Sequence, residues 1–413
     1  GGQGGEAQMR AQVVQAACEA VAALKMLNEG MRGACKHVVE ALQALSDDPH
    51  LAQQALRAIA SLAELPSNRA LLDSHNACAL VSATLSRYVA RSGVIGVFMR
   101  DSSSAAVALA GCSAVYYMAR GSDAQVYQQK LVAAGACEAV TKTLIKYAEH
   151  EAISHASFRC LVVLLMNNTT YKTKLGALGV CGCVVESMHM FPYSAQVAKW
   201  GCRAVAVLAE SHEANISRLG SAGACESIPV ILQAHPGSEA VASAGCDVLS
   251  FMGEALPNGL AGRFGIAGAC EAVVSVLRKH CANAYVVTRA SIALASLARV
   301  KGNATWLGPA GACDALIAVL QLHQADLQVC KFVVSAVGNL CIVQHNRERL
   351  GALGACELIV SCACLHLMDL DTVKASALAM GKLCEQVHQQ EHVVETLTHS
   401  ASTGLIVDVG VGA

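Results

Sequence analysis

The tetrapeptide Gly-Ala-Cys-Glu occurs four times in this chain, at 135–138, 223–226, 268–271 and 354–357. Looser copies fill the gaps: Gly33-Ala34-Cys35-Lys36, Asn76-Ala77-Cys78-Ala79, Gly179-Val180-Cys181-Gly182 and Gly311-Ala312-Cys313-Asp314. Their cysteines fall at positions 35, 78, 137, 181, 225, 270, 313 and 356, so the successive spacings are 43, 59, 44, 44, 45, 43 and 43. A unit copied at such a period overrides the division of a 413-residue chain into two or three globular domains. Each copy is too small to bury its own apolar face, so it must stack on its neighbours.

Each period has the same internal order. A short lead-in such as 349–354 precedes the cysteine, an apolar helix begins at the cysteine, and a longer helix such as 327–341 follows a turn. The glycine two residues before the cysteine suits a sharp break, because glycine enters left-handed backbone angles without steric cost. Ten residues before the cysteine stands an asparagine in four copies, Asn68, Asn215, Asn303 and Asn346. Its side-chain oxygen is expected to start or cap the short first helix.

A short helix, a glycine corner and two longer helices form a pattern that resembles the armadillo repeat, and the resemblance covers essentially the whole chain. A two-helix HEAT repeat would not need the recurrent corner. The resemblance implies an all-α, right-handed α-solenoid (superhelix) of about eight armadillo-type repeats plus partial terminal repeats, forming one domain over 1–413. Its repeats start near 33, 76, 135, 179, 223, 268, 311 and 354, after a Gly-rich leader at 1–10 and a partial helix at 12–27. A further partial repeat opens near 403. Neither end shows the polar outer face of a cap, so the array is expected to continue beyond this sequence.

One interval carries about 15 extra residues, most of them at 92–104. Val94, Ile95, Val97, Phe98 and Met99 stand there beside Arg100, Asp101 and three serines. Such an insert either folds back over its own apolar residues or presents Val94, Ile95, Phe98 and Met99 to a partner as an insertion-loop contact.

The filling is 54% apolar but only 4% aromatic and 15% charged, which suits small side chains between closely packed helices rather than membrane spans. The longest strongly apolar stretch, 160–166, is far short of the roughly 20 residues that a spanning helix needs. Thirty basic against thirty-one acidic residues give no global pull toward nucleic acid or anionic lipid.

Twenty cysteines raise the question of disulfides or metal. Corresponding cysteines of adjacent repeats stand about one helix spacing apart, roughly 8–10 Å, beyond the reach of a disulfide. No Cys-x-x-Cys occurs, and Cys181/Cys183 and Cys362/Cys364 lack partner pairs at zinc spacing. Buried thiols acting as small hydrophobes in a reducing, cytoplasmic compartment are the expectation. His388-Gln389-Gln390-Glu391-His392 matches an inverted zinc-peptidase motif but sits in a linker, where a solvated turn is favoured. His235, His280 and His323 fall at helix ends, where they suit the last carbonyls. No nucleophile elbow or phosphate loop is found. The chain is therefore read as a non-enzyme with no catalytic residue, metal, cofactor or small-molecule substrate.

The armadillo resemblance implies that third helices line a concave groove, where importin-type members set a Trp four residues before an Asn to clamp a basic peptide. Here Asn339 alone holds the Asn position, against Ser61, Tyr117, Leu164, Val207, Phe251, Ser296 and Lys382. At the Trp position stand Arg57, Ser113, Cys160, Arg203, Asp247, Ile292, Ser335 and Leu378. A non-importin scaffold, adaptor or structural subunit is expected, binding a partner protein's helix or extended segment through Tyr117, Leu164, Arg203, Val207, Asp247, Phe251 and Asn339. The alternative is the regulatory armadillo region of a larger enzyme such as a kinase, with a nuclear-import-type receptor less favoured.

Overall fold

Left-handed residues recur where the sequence places its corners, and they set the course of the backbone. In the computed structural model, which describes residues 32–91, 102–121, 124–254 and 260–384, Gly135, Gly179, Gly223, Gly268, Gly311 and Gly354 have φ between 74° and 93°. Asn76, at the equivalent position, has φ 66°, a value asparagine tolerates better than most residues. Before each of these corners lies a short first helix: Pro66–Ser74, Ala124–Ala133, Thr169–Ala177, Glu213–Ser221, Leu260–Ile266, Lys301–Ala310 and Gln344–Ala352. The second helices start immediately after, at Ala77–Arg91, Ala136–Lys146, Val180–Met190, Ala224–Ala234, Ala269–Lys279, Ala312–Leu322 and Ala355–Leu365. Across two of the corners the helix axes bend by 73° and 72°.

Third helices complete the repeats: Pro49–Leu62, Ser102–Met118, Glu151–Leu165, Ala195–Ala209, Glu239–Glu254, Ala284–Ala298, Leu327–Leu340 and Leu370–Leu383. With Arg32–Leu45 they make 23 helices and no strand among the described residues. Asp48, Asp326 and Asp369 cap three of them, each carboxylate accepting from backbone N–H groups of the first turn. No single described helix is long and apolar enough to cross a membrane.

Contacts group the chain into two compact units, one of 1–208 with 217–222 and the other of 209–216 with 223–413. In the first, Leu56, Ile59, Leu85, Met118, Leu144, Phe158 and Leu161 are fully enclosed between helices of neighbouring repeats. Each such side chain contributes roughly 1.5–3 kcal/mol of hydrophobic stabilisation. Phe264, Leu277, Leu294, Leu320 and Val333 do the same in the second.

The asparagines do not cap the first helix as the sequence suggested. Asn68, Asn303 and Asn346 lie inside it and are buried, and each donates its side-chain N–H to a carbonyl six residues back, Leu62, Leu297 and Leu340, at the end of the preceding third helix. In the second unit the amide also reaches the previous repeat: Asn303 donates to Ala261 O at 2.7 Å and Asn346 to Ala304 O at 2.8 Å. Helix-end carbonyls lack intrahelical donors, so a buried side-chain amide satisfies them better than an accepting oxygen would. Gly265 and Gly308 make room, since a Cβ on either would stand 1.9 Å and 2.1 Å from the incoming asparagine oxygen.

In three repeats the acidic residue after the anchor cysteine pairs with a base seven residues before the next one: Glu138 with Lys174, Glu226 with Arg263, and Asp314 with Arg349. Where Ala79 replaces the acid, Asp73 takes Lys130 instead. All of these pairs are partly solvated, so each contributes less than about 1 kcal/mol and serves mainly to fix register.

Of the insert expected at 92–104, Ser102, Ser103 and Ser104 open the third helix Ser102–Met118. Val94, Ile95, Phe98 and Met99 lie outside the described residues, as do the leader, the partial helix at 12–27, the His388/His392 motif and the partial repeat near 403.

A paired substitution isolates the corner. A Cβ on Gly179 meets nothing within 4 Å but its φ is 89°, whereas Gly182, inside the helix three residues later, is open and has ordinary angles. Gly179→Ala should cost about 1–2 kcal/mol in urea unfolding, and Gly182→Ala should stabilise by about 0.5–1 kcal/mol. Equal effects would show that the left-handed angle carries no constraint.

A cation and aromatic cluster on the third helices

In the first unit, three consecutive third helices bring together residues of two kinds, rings and cations. Helix Ser102–Met118 ends in Tyr116 and Tyr117, followed by Arg120; Glu151–Leu165 supplies Arg159; Ala195–Ala209 supplies Lys199, Trp200 and Arg203. Tyr116 and Trp200 meet edge to face with centroids 5.9 Å apart, and Tyr116 meets Tyr117 at 5.2 Å. The Arg159 guanidinium lies over the Tyr116 ring, 3.7 Å from its centroid, 5.4 Å from that of Tyr117 and 5.7 Å from that of Trp200. Arg203 sits 5.0 Å and Lys199 5.4 Å from Trp200, while Arg120 approaches both tyrosines. Each contact lies within the roughly 6 Å at which a ring quadrupole attracts a cation.

The cluster is electrostatically polarised. Burial opposes charge on Arg159, but the hydroxyls of Tyr116 and Tyr117 outweigh it and hold the guanidinium pKa above its ordinary value. One turn earlier, His155 is driven the other way, first by burial and then by the charges of Arg159 and Lys199, with Glu151 opposing them. It is therefore a neutral imidazole at physiological pH. Arg159 Nε and His155 Nε2 are buried and have no hydrogen-bond partner. The rings and Arg159 are half-buried, whereas Arg120 and Arg203 are exposed.

Of the groove residues expected from sequence in this unit, Tyr117 and Arg203 belong to the cluster and Val207 is half-buried. Leu164 is not a surface residue: it is 1% exposed and packs in the core. Cys160 is likewise buried, its thiol donating to Cys112 O. The reading of helix Glu151–Leu165 was one residue out of register, and one residue turns a helical side chain by about 100°. Arg159 occupies the place assigned to Cys160. Sequence reasoning does not single out Tyr116, Arg159 and Trp200, although the Tyr-Tyr pair and one of the two tryptophans stand on third helices two repeats apart. In the second unit, Phe251 is half-buried, Asp247 pairs with Arg289 at 3.3 Å, and Asn339 donates to Ala295 O at 3.0 Å.

No protein-family model matches the sequence, and no curated protein does. Solved structures do match. One, from work on a phosphorylation switch that controls the interaction between cadherin and beta-catenin, superimposes with a TM-score of 0.72 at 14% identity, covering 94% of this chain and 68% of that chain. Beta-catenin is an armadillo-repeat protein. The fold is an armadillo solenoid. An engineered protein from the Northeast Structural Genomics Consortium matches over 60% of this chain and 97% of its own, with a TM-score of 0.53 and 18% identity.

Seven of the eight anchor cysteines are core residues, and Cys356 is half-buried. Among the described residues the cysteines are free, and no group of three or more His, Cys, Asp or Glu is placed to hold a metal ion. Cys330 and Cys362, which are not equivalent positions, approach to 3.4 Å across neighbouring repeats, both without solvent exposure. Burial pushes the thiols of Cys78, Cys137, Cys202, Cys225, Cys270 and Cys341 up to about 12. Unfolded thiols ionise near pH 9, so this stabilisation is complete below that pH and is lost as pH rises toward 12. The slope is roughly 1.4 kcal/mol per thiol for each pH unit. Urea midpoints measured under reductant should fall steeply between pH 9 and 11, and Cys202→Ala should flatten the slope by one thiol's share. An unchanged slope in that variant would contradict the assignment.

Proposed function

We propose that this chain is a protein-interaction scaffold, an adaptor or a structural subunit of a larger assembly, that captures segments of partner proteins on the groove formed by its third helices. The observation that carries this reading is the cluster of Tyr116, Tyr117, Arg159, Trp200 and Arg203. It gathers half-buried rings and guanidinium groups at one partly open surface. Tyrosine, tryptophan and arginine are the residues that most often dominate binding energy at interfaces. An armadillo neighbour whose study concerns its interaction with cadherin fits the same class of work.

The role is proposed as non-catalytic and the compartment as a reducing cytoplasm, in keeping with free, buried cysteines in nearly every repeat. A basic-peptide receptor of the nuclear-import kind is disfavoured by the cations on these helices, which would repel such a ligand.

The test is capture with crosslinking in which Tyr116→Ala with Trp200→Ala, and separately Tyr117→Ala with Phe251→Ala, are compared with Trp306→Ala. Trp306 is exposed on the first helix Lys301–Ala310 and serves as a control away from the third helices. Partners held by the parent and by Trp306→Ala should be retained at least tenfold less by the Tyr116/Trp200 variant, with helicity unchanged. Equal retention at equal helicity would refute the groove.

A further inference from the structure

We infer that the segment seated on the Tyr116–Arg203 surface is an acidic peptide, with carboxylates flanking an apolar or aromatic side chain. The inference rests on the scaffold reading above and adds the chemistry of the partner. Its basis is an imbalance of charge pairing. Elsewhere several described cations pair with carboxylates of neighbouring helices, among them Lys130 with Asp73, Lys174 with Glu138, Arg263 with Glu226, Arg289 with Asp247, Lys331 with Asp371 and Arg349 with Asp314. On the cluster, Arg120, Arg159, Lys199 and Arg203 are held against ring faces, and none has a carboxylate partner among the described residues. The chain as a whole carries a formal charge of −1, so four unneutralised cations on one surface are a local concentration rather than a general excess.

The neighbouring groups sharpen this. Burial and the nearby cations keep His155 neutral, so it adds no positive charge. Glu151, a helical turn before His155, accepts from Ser194 at 2.6 Å. Arg159 offers a buried Nε–H with no acceptor beside the Tyr116 ring, a donor suited to a carboxylate. Arg120 and Arg203, exposed at either side, are free to close on acids farther along the segment. The half-buried rings of Tyr116, Tyr117 and Trp200 suit a flat or branched apolar side chain beside those charges.

Rings and arginines also suit single-stranded nucleic acid. A phosphate backbone, however, is tracked by a run of cations on a basic domain, and this sequence has a pI of about 7.0 with the cluster's four cations confined to three neighbouring third helices and the turn after one of them. The compact patch favours a short acidic peptide.

The experiment uses the full chain carrying Trp306→Phe, which leaves Trp200 as the only tryptophan. Its emission is followed during titration with a synthetic peptide alternating Glu with Leu and Ser, with versions in which Gln or Lys replaces Glu, and with oligothymidylate. The Glu peptide should change Trp200 emission saturably, with affinity falling as salt rises. Arg120→Glu with Arg203→Glu, both solvent-exposed positions, should weaken it by roughly tenfold or more at unchanged helicity. Arg159→Lys, which keeps the charge but not the planar fork, should weaken it less than Arg159→Gln. Equal response to the Gln or Lys peptide, preference for oligothymidylate, indifference to charge reversal, or no response to any peptide would each overturn the inference. Acidity failing while partners are still lost from the Tyr116/Trp200 variant would leave the groove intact. If capture too were unchanged, the groove itself would fall.

Discussion

Much of the second unit depends on one contact, an asparagine side chain entering the space that a glycine leaves in the repeat before it. Asn303 stands over Gly265 and Asn346 over Gly308, and each amide bonds a carbonyl of its own preceding third helix and one in the preceding repeat. A buried carbonyl without a donor is costly, of order 1–3 kcal/mol. The asparagine therefore binds two repeats and a helix end at once, in one register. Anchor cysteines lie against the same place, with Cys270 and Cys313 sulfurs near the carbonyls of Asn303 and Asn346. The left-handed corner then turns the chain so that the second and third helices can cover the next repeat.

This division of labour accounts for the composition. Positions between helices take Ala, Val, Leu and Cys because close stacking admits little else, and Phe158 and Phe264 are the largest fully buried side chains. Aromatic rings are thus scarce, and three of them with four cations on successive third helices stand apart from the packing logic. Trp306 marks the converse case. It replaces the base that other repeats place seven residues before the anchor cysteine, and the ion-pair ladder from Glu271 is broken there.

The repeat, the corner and the three-helix order were legible because they rest on backbone geometry that recurs with fixed spacing. The asparagine was seen but given the wrong bond, since sequence shows that a polar side chain recurs, not whether its amide or its oxygen is used. The binding surface was read less well. Leu164 and Cys160 were assigned outward positions because the linkers before each first helix vary, and a one-residue slip exchanges core for surface on a helix. Arg159 and Trp200 then became visible only when three helices were placed side by side.

The most direct test of this account is a double-mutant cycle between Gly308 and Asn346, read by equilibrium urea unfolding. Gly308→Ala should be strongly destabilising while Asn346 is present, because the new Cβ would stand 2.1 Å from its oxygen. In an Asn346→Ala background most of that cost should disappear, giving a coupling of about 1–3 kcal/mol. Strict additivity of the two substitutions would contradict the claim that this contact locks one repeat to the next.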